Sequence, residues 1–149
     1  MNNIIQIFYP SLEIINFEDM QVILQQHTSK KYILINVLPS MEQDCLLTNT
    51  LPAQLEEQTI NDIVQSYEMV SKTIVLYGKN SSDYSVLEKK NKQLISLGFK
   101  VLIYLGGLFE WVLLQDIYGA EQFPTSKRNL DILKYRPHSK IFTPHFIKE

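Results

Sequence analysis

The stretch that most constrains the fold of this chain is residues 101–111, Val-Leu-Ile-Tyr-Leu-Gly-Gly-Leu-Phe-Glu-Trp. Its β-branched apolar start predicts a buried strand, and the two glycines lead directly into a helix that carries the single tryptophan, Trp111. Because a tight turn from strand to helix needs positive φ angles, which glycine adopts readily, we expect Gly106 and Gly107 to form that turn. Trp111 is expected to lie in the core, as large aromatic side chains usually do.

Strands and helices alternate along the rest of the chain over short connections. Apolar runs predict strands at residues 13–15, 32–38, 73–77 and 100–105, and helical spacing or capping residues predict helices after Asn16, at 58–70, from Ser82 or Asp83 to Gly98, and at 108–118. Residues 39–52 show no convincing period and are expected to be mostly loop. The alternation predicts an α/β fold with a central, mostly parallel sheet of about five strands and helices on both faces.

The length and charge of the chain indicate one globular domain with a short extension. With 149 residues, 45% of them apolar and 20% charged, the chain can bury a core of its own. Residues 1–126, the expected domain, hold eight Lys/Arg against fourteen Asp/Glu, whereas residues 127–149, the expected basic C-terminal extension, hold six against two. Six scattered charges form no dense basic patch, so we expect the extension to lie on its own acidic domain or on a protein partner, and not on nucleic acid.

The sequence is typical of a soluble protein from a reducing compartment. No apolar run approaches the ~20 residues of a membrane-spanning helix, and the first residues lack the basic region and cleavage site of a secretory signal. The single cysteine, Cys45, has no internal disulfide partner. We therefore expect a cytoplasmic location and no membrane partner.

The order of elements, with the Gly-Gly turn and a tryptophan four residues beyond Gly107, resembles the rhodanese-like superfamily over about residues 12–120. The sequence is also similar to rhodanese-type proteins of large DNA viruses or protists. This similarity lies in the motif Leu-Gly-Gly-Leu-Phe-Glu-Trp and in Phe-Pro-Thr and Leu-Asp-Ile-Leu-Lys-Tyr downstream. The resemblance implies a rhodanese-like α/β fold, in which the loop after the 73–77 strand is the catalytic loop.

In active members of that superfamily a cysteine follows this strand, and backbone N–H groups at a helix start surround its sulfur. That geometry lowers the pKa of the thiol and holds an anion. The resemblance places Gly78 at the cysteine position and Asp83 near an arginine that often assists. Glycine offers no nucleophile, aspartate repels anions, and residues 71–107 contain no cysteine. We therefore expect a vestigial loop without covalent sulfur transfer, made of Gly78, Lys79, Asn80, Ser81, Ser82 and Asp83.

Cys45 is the one remaining thiol that could serve as a nucleophile. It follows Glu42 and Asp44, whose charges should raise the pKa of its thiol rather than lower it. A cysteine in such a setting is more often a buried small apolar residue than a catalyst. We therefore expect Cys45 to be a buried structural residue, and it stays the alternative nucleophile.

The other chemistry-bearing residues form no recognisable site. The three histidines are His27, His138 and His145. They are far apart in the sequence and lack the spacing of metal ligands, so neither a metal nor a cofactor is expected. Ser81 and Ser82 have no histidine close in sequence to act as base, and helix capping explains them better than catalysis. Lys79 can attract an anion, but Asp83 largely offsets its charge.

Three functions are consistent with these residues. The favoured one is a catalytically inactive rhodanese-like domain that binds a protein or serves a structural role. The second is an enzyme, a sulfurtransferase or thiol-based reductase, that uses Cys45. The third is a non-covalent sensor of anions, because the 78–83 loop still offers backbone N–H groups at the start of a helix.

Overall fold

A four-stranded parallel sheet forms the centre of the computed structural model, which describes residues 12–26 and 30–142. The strands are β1 (Ile14–Ile15), β2 (Tyr32–Asn36), β3 (Thr73–Tyr77) and β4 (Lys100–Tyr104). The helices are α1 (Phe17–Gln25), α2 (Ala53–Gln65), α3 (Tyr84–Ser96) and α4 (Gly107–Tyr118). The strand order is β1-β4-β3-β2, and every neighbouring pair is parallel. The predicted α/β class is confirmed.

The prediction of about five strands was wrong by one, because pairing beyond β2 stops almost as soon as it begins. Thr50 forms an isolated parallel bridge with Leu34, and the Leu51 N–H donates to the Leu34 carbonyl at 2.8 Å. Pro52 follows, and proline has no N–H with which to continue a ladder. The chain turns into α2 instead, so the fifth position of the sheet is reduced to a bridge.

Helices cover both faces of the sheet, as the alternation of strands and helices predicts. Along β3, Val75 and Tyr77 face one way and Ile74 and Leu76 the other, and all four are fully buried. The first pair packs with α1 and α4, and the second pair with α2 and α3. Strand β3 is therefore buried on both sides, which explains its continuous apolar sequence.

Helix α2 begins and ends about five residues earlier than the predicted helix at 58–70. It starts directly after Pro52, and its first turn, which includes Ala53 and the half-exposed Leu55, gives no apolar period. Tyr67, which fits the helical spacing in the sequence, lies beyond the helix with φ +57° and is largely exposed. The Glu68 N–H donates to the Ile63 carbonyl at 3.1 Å, a bond that closes the end of the helix.

The segment after α4 packs back onto the domain beside the ends of the strands. The indole N–H of Trp111 donates to the Pro124 carbonyl at 3.1 Å, and the Ser126 N–H donates to the Leu46 carbonyl at 2.7 Å. A short 3₁₀ helix, Ile132–Tyr135, follows and packs against α4. Tyr135 is completely buried in the core cluster that α1 and α4 share.

None of the helices within residues 12–26 and 30–142 has the length and apolar character needed to cross a membrane.

Candidate functional site

The 78–83 loop leaves the carboxyl end of β3, which is the edge of a parallel sheet where ligand sites usually form. Ser81–Asp83 form a 3₁₀ turn that runs into α3. The side chain of Asn80 caps this turn, since its Oδ1 accepts the Ser82 N–H at 2.8 Å. The cap therefore comes from Asn80 and not from Ser82 or Asp83, because the turn starts before the α-helix.

The carboxylate of Asp83 folds back into the loop. Its Oδ2 accepts the backbone N–H of Lys79 at 2.6 Å. A Cβ atom added at Gly78 would lie 2.5 Å from the same oxygen, which no real Cβ contact allows. The space beside Gly78, and the loop N–H that points toward it, are thus occupied by an anionic group of the protein itself.

The cationic side chain of the loop is also paired. Lys79 Nζ lies 2.7 Å from Glu42 Oε1, and both side chains are largely shielded from solvent. Glu42 comes from the 3₁₀ turn Ser40–Glu42, which follows β2. The sequence indicates Asp83 as the residue that offsets Lys79, but in the structure Glu42 pairs with its ammonium group while Asp83 binds its backbone N–H.

Backbone hydrogen bonds join the loop to the start of α4. The N–H groups of Leu108 and Phe109 donate to the carbonyls of Gly78 and Lys79 at 3.0 and 2.9 Å. Gly107 has φ +69°, and a Cβ atom there would lie 2.7 Å from the Gly78 carbonyl oxygen. Glycine is therefore required at this position both for its backbone conformation and for close approach.

Gly106 does not need a positive φ, contrary to the expectation for the Gly-Gly turn. Its φ is −57°, within the ordinary helical range. The space beside it is taken by the carboxylate of Glu110, 2.6 Å from where a Cβ atom would stand. That carboxylate accepts a hydrogen bond from the Tyr104 hydroxyl at 2.6 Å. Burial is the main cause that raises the pKa of Tyr104, and this hydrogen bond is the second.

The C-terminal segment completes the surroundings of the loop. Asn80 Nδ2 donates to the main-chain carbonyl of Tyr135 at 2.9 Å. Burial raises the pKa of Tyr135 to about 12. A cavity of about 240 Å³ lies between the loop and residues 137–140, and it is lined in part by Ser82, His138 and Lys140.

Cys45 lies under the same segment and is completely buried. Its thiol donates to the Lys127 carbonyl at 3.0 Å. Burial is the main reason that the pKa of this thiol is raised, and the charge of Asp44 adds only a minor contribution. A buried, protonated thiol that already has a hydrogen-bond acceptor has little nucleophilic character.

The described part of the chain holds no group of three or more His, Cys, Asp and Glu side chains that could bind a metal ion. His27 and His145 lie outside the described residues. His138 is exposed and lines the same cavity as Ser82, with no hydrogen bond between their side chains in the described structure. The sequence gives no sign of this proximity, since the two residues are distant along the chain.

Comparison with known proteins shows the fold alone. No family model matches the chain, and no curated protein matches it. A structure from Bacillus halodurans is 18% identical and superposes with a TM-score of 0.53 over 73% of this chain and 74% of that chain. A structure from Lactobacillus plantarum is 21% identical, with a TM-score of 0.52 over 77% of this chain and 96% of that chain.

A third structure, the As-Sb reductase of Leishmania major, is 16% identical over 72% of this chain and 79% of that chain. Its TM-score of 0.43 is too low to carry an argument about fold or function. The first two structures share the α/β architecture with this chain, which has four parallel strands between two layers of helices and is consistent with a rhodanese-like fold.

Proposed function

We propose that this chain is a catalytically inactive rhodanese-like domain that serves as a structural or protein-binding module. The observation that carries the proposal is the position of the Asp83 carboxylate, which fills the space beside Gly78 and accepts the Lys79 N–H at 2.6 Å. The loop that would hold a sulfur nucleophile and an anion holds a side chain of the protein instead.

Covalent sulfur transfer has no nucleophile in this loop. The residue after β3 is Gly78, and the thiol of Cys45 is buried with a raised pKa. An enzyme that used Cys45 would first have to expose it by moving the segment around Lys127, whose carbonyl accepts the thiol hydrogen. The Cys45 enzyme is therefore the weaker candidate.

Binding of a free anion is opposed by charge. An oxyanion in the loop would stand within a few ångströms of Asp83, and two like charges about 4 Å apart repel by roughly 1–4 kcal/mol between bulk water and a protein surface. Lys79 contributes little attraction because it is paired with Glu42. One observation favours the anion sensor, namely that Lys140 and His138 line the cavity beside the loop.

The contacts of the loop support a structural role. Gly78 and Lys79 accept bonds from the first turn of α4, Asn80 binds the carbonyl of Tyr135, and Lys79 pairs with the turn after β2. The loop thus joins three segments that are distant along the chain. A loop that carries such contacts contributes to stability without any ligand.

Two measurements on the full chain test the proposal. Intact mass spectrometry after incubation with thiosulfate, together with cyanide-dependent thiocyanate formation, should detect neither a persulfide nor turnover. Thermal unfolding, followed by Trp111 fluorescence, should give the same midpoint in millimolar sulfate, phosphate or thiosulfate as in chloride at equal ionic strength, a concentration too low for general salt stabilisation.

The variant Asp83→Asn sharpens the second measurement. It removes the charge of Asp83 while keeping an oxygen acceptor for Lys79 N–H. If anions raise the melting temperature of this variant but not that of the wild type, the result would support the proposal that the Asp83 carboxylate keeps anions out of the loop. Anion-dependent stabilisation of the wild type would favour the sensor. A persulfide that Cys45→Ser abolishes would make the chain an enzyme and overturn the proposal.

A further inference from the structure

Helix α4 is apolar on every side, although only one side faces the core. Its inward face, which includes Trp111 and Val112, is completely or nearly completely buried. Its outward face carries Leu113 and Ile117, one helical turn apart, with 37% and 68% of their surfaces exposed. A helix that is apolar all round normally has its outer face covered as well.

The C-terminal segment beside α4 adds more exposed apolar surface. The 3₁₀ helix Ile132–Tyr135 packs against α4, and its Leu133 is 61% exposed. Leu130, two residues before this turn, is 78% exposed. We call Leu113, Ile117, Leu130 and Leu133 together the α4 surface.

Exposed charges of both signs lie close along the chain to the residues of the α4 surface. Asp116 lies on the last turn of α4 and Glu121 just after the helix, Lys127 and Arg128 shortly precede Leu130, and Asp131 follows it. The same separation holds for the whole chain, since residues 1–126 carry an excess of acidic side chains and residues 127–149 an excess of basic ones. A surface with both signs at its border can complement a second copy of itself.

We propose that the α4 surface docks a second copy of this chain, with the two α4 helices antiparallel about a twofold axis. In that arrangement Leu113 and Ile117 of the two copies pack against each other as ridges into grooves. The acidic end of each α4 lies beside the other copy's C-terminal segment, which starts with Lys127 and Arg128. Such an interface uses the same patch twice, as a twofold dimer requires. The inference does not depend on the function of the 78–83 loop.

Sedimentation equilibrium of the full chain, from about 1 to about 200 µM, tests the proposal by measuring mass against concentration. We expect a reversible monomer–dimer equilibrium that weakens as salt increases, because the border charges are screened. Ile117→Lys should raise the dimer dissociation constant at least ~10-fold. Val70→Lys is the matched control, since Val70 is 97% exposed and lies after α2, and it should leave the dimer unchanged.

A second pair of variants tests the charges. Asp116→Lys should weaken the dimer, whereas Glu57→Lys, an exposed acidic residue of α2 on the opposite face of the sheet, should not. Far-UV circular dichroism and melting temperature verify that each variant is folded. A chain that stays monomeric at the highest concentration, or a dimer that Ile117→Lys leaves intact, overturns the proposal.

Discussion

The side-chain amide of Asn80 donates to the main-chain carbonyl of Tyr135 at 2.9 Å, across a separation of 55 residues. The same side chain accepts the Ser82 N–H at 2.8 Å, so one residue shapes the 78–83 loop and fastens the C-terminal segment to it. Both residues are buried. The segment that covers Cys45 is therefore held through the loop that follows β3.

Asn80→Ala should destabilise the protein by about 2–3 kcal/mol, because it removes two hydrogen bonds and leaves the buried Tyr135 carbonyl without that donor. It should also speed the reaction of Cys45 with a thiol reagent, since the covering segment loses an attachment. Urea unfolding and the labelling rate measure the two effects. Ser82→Ala, at an exposed side chain, is the control and should change neither. Equal labelling rates for Asn80→Ala and wild type would contradict this role.

Gly78→Ala should cost about 1–3 kcal/mol, because the new methyl group overlaps the Asp83 carboxylate. Asp83→Ala alone should cost about 1 kcal/mol through loss of its bond to Lys79 N–H. In the double variant the overlap with the carboxylate disappears and only the Cβ atom of residue 83, 2.9 Å away, remains, so its cost should be smaller than the sum of the two. Urea unfolding of the three variants gives this coupling.

Gly119→Ala is the matched control for that cycle. Gly119 has φ +105° and open space around the position of a Cβ atom, so its cost comes from the backbone alone. Combined with Asp83→Ala, it should give strictly additive losses. Additivity in the Gly78 cycle as well would show that Asp83 does not occupy the space beside Gly78.

Asn91→Leu should stabilise the protein by about 1–2 kcal/mol. The Asn91 side chain is buried on the inner side of α3, and neither its Nδ2 nor its Oδ1 has a hydrogen-bond partner. Leucine has a similar size and removes two unsatisfied polar atoms. Gln93→Leu, on the exposed side of the same helix, should leave the melting temperature nearly unchanged. A loss of stability in Asn91→Leu would mean that the amide has a partner in solution.

Stability should fall in alkali, beginning near pH 9 and more steeply above pH 10. Burial raises the pKa of Cys45 and of Tyr77, and raises that of Tyr135 to about 12. The unfolded chain releases these protons near their ordinary values, while the folded chain retains them, so rising pH favours unfolding. Tyr135 alone should account for a loss on the order of 2 kcal/mol by pH 12. Urea unfolding between pH 7 and 12 measures the slope, and Tyr135→Phe should reduce it above pH 10.

The fold could be predicted where apolar runs are long. Strands β2, β3 and β4 are buried on both faces, so their sequences show them clearly. The absence of a fifth strand could not be predicted, because one proline, Pro52, decides whether the pairing begun at Thr50 continues. The start of α2 could not be predicted, because its first turn is largely exposed and shows no apolar period. Its end could not be predicted either, because Tyr67 fits the helical spacing but adopts a left-handed conformation.

The candidate site could be predicted only in its local part. The sequence shows that the loop after β3 contains no cysteine and that it carries the acidic Asp83. The contacts that fill the site join distant residues: Lys79 and Glu42 are 37 positions apart, and Asn80 and Tyr135 are 55 apart. No local pattern indicates such pairs, because they depend on how the turns after β2 and β3 and the C-terminal segment pack together.

The fit between Gly78 and Asp83 also limits which side chains position 78 can accept. A substitution that placed a cysteine at position 78 would set its Cβ atom against the Asp83 carboxylate, so the variant would carry a folding defect and an unfavourable charge beside its new thiolate. Thiol chemistry in this loop would therefore require changes at both positions. The two positions are interdependent, since the side chain that one can hold depends on the residue at the other.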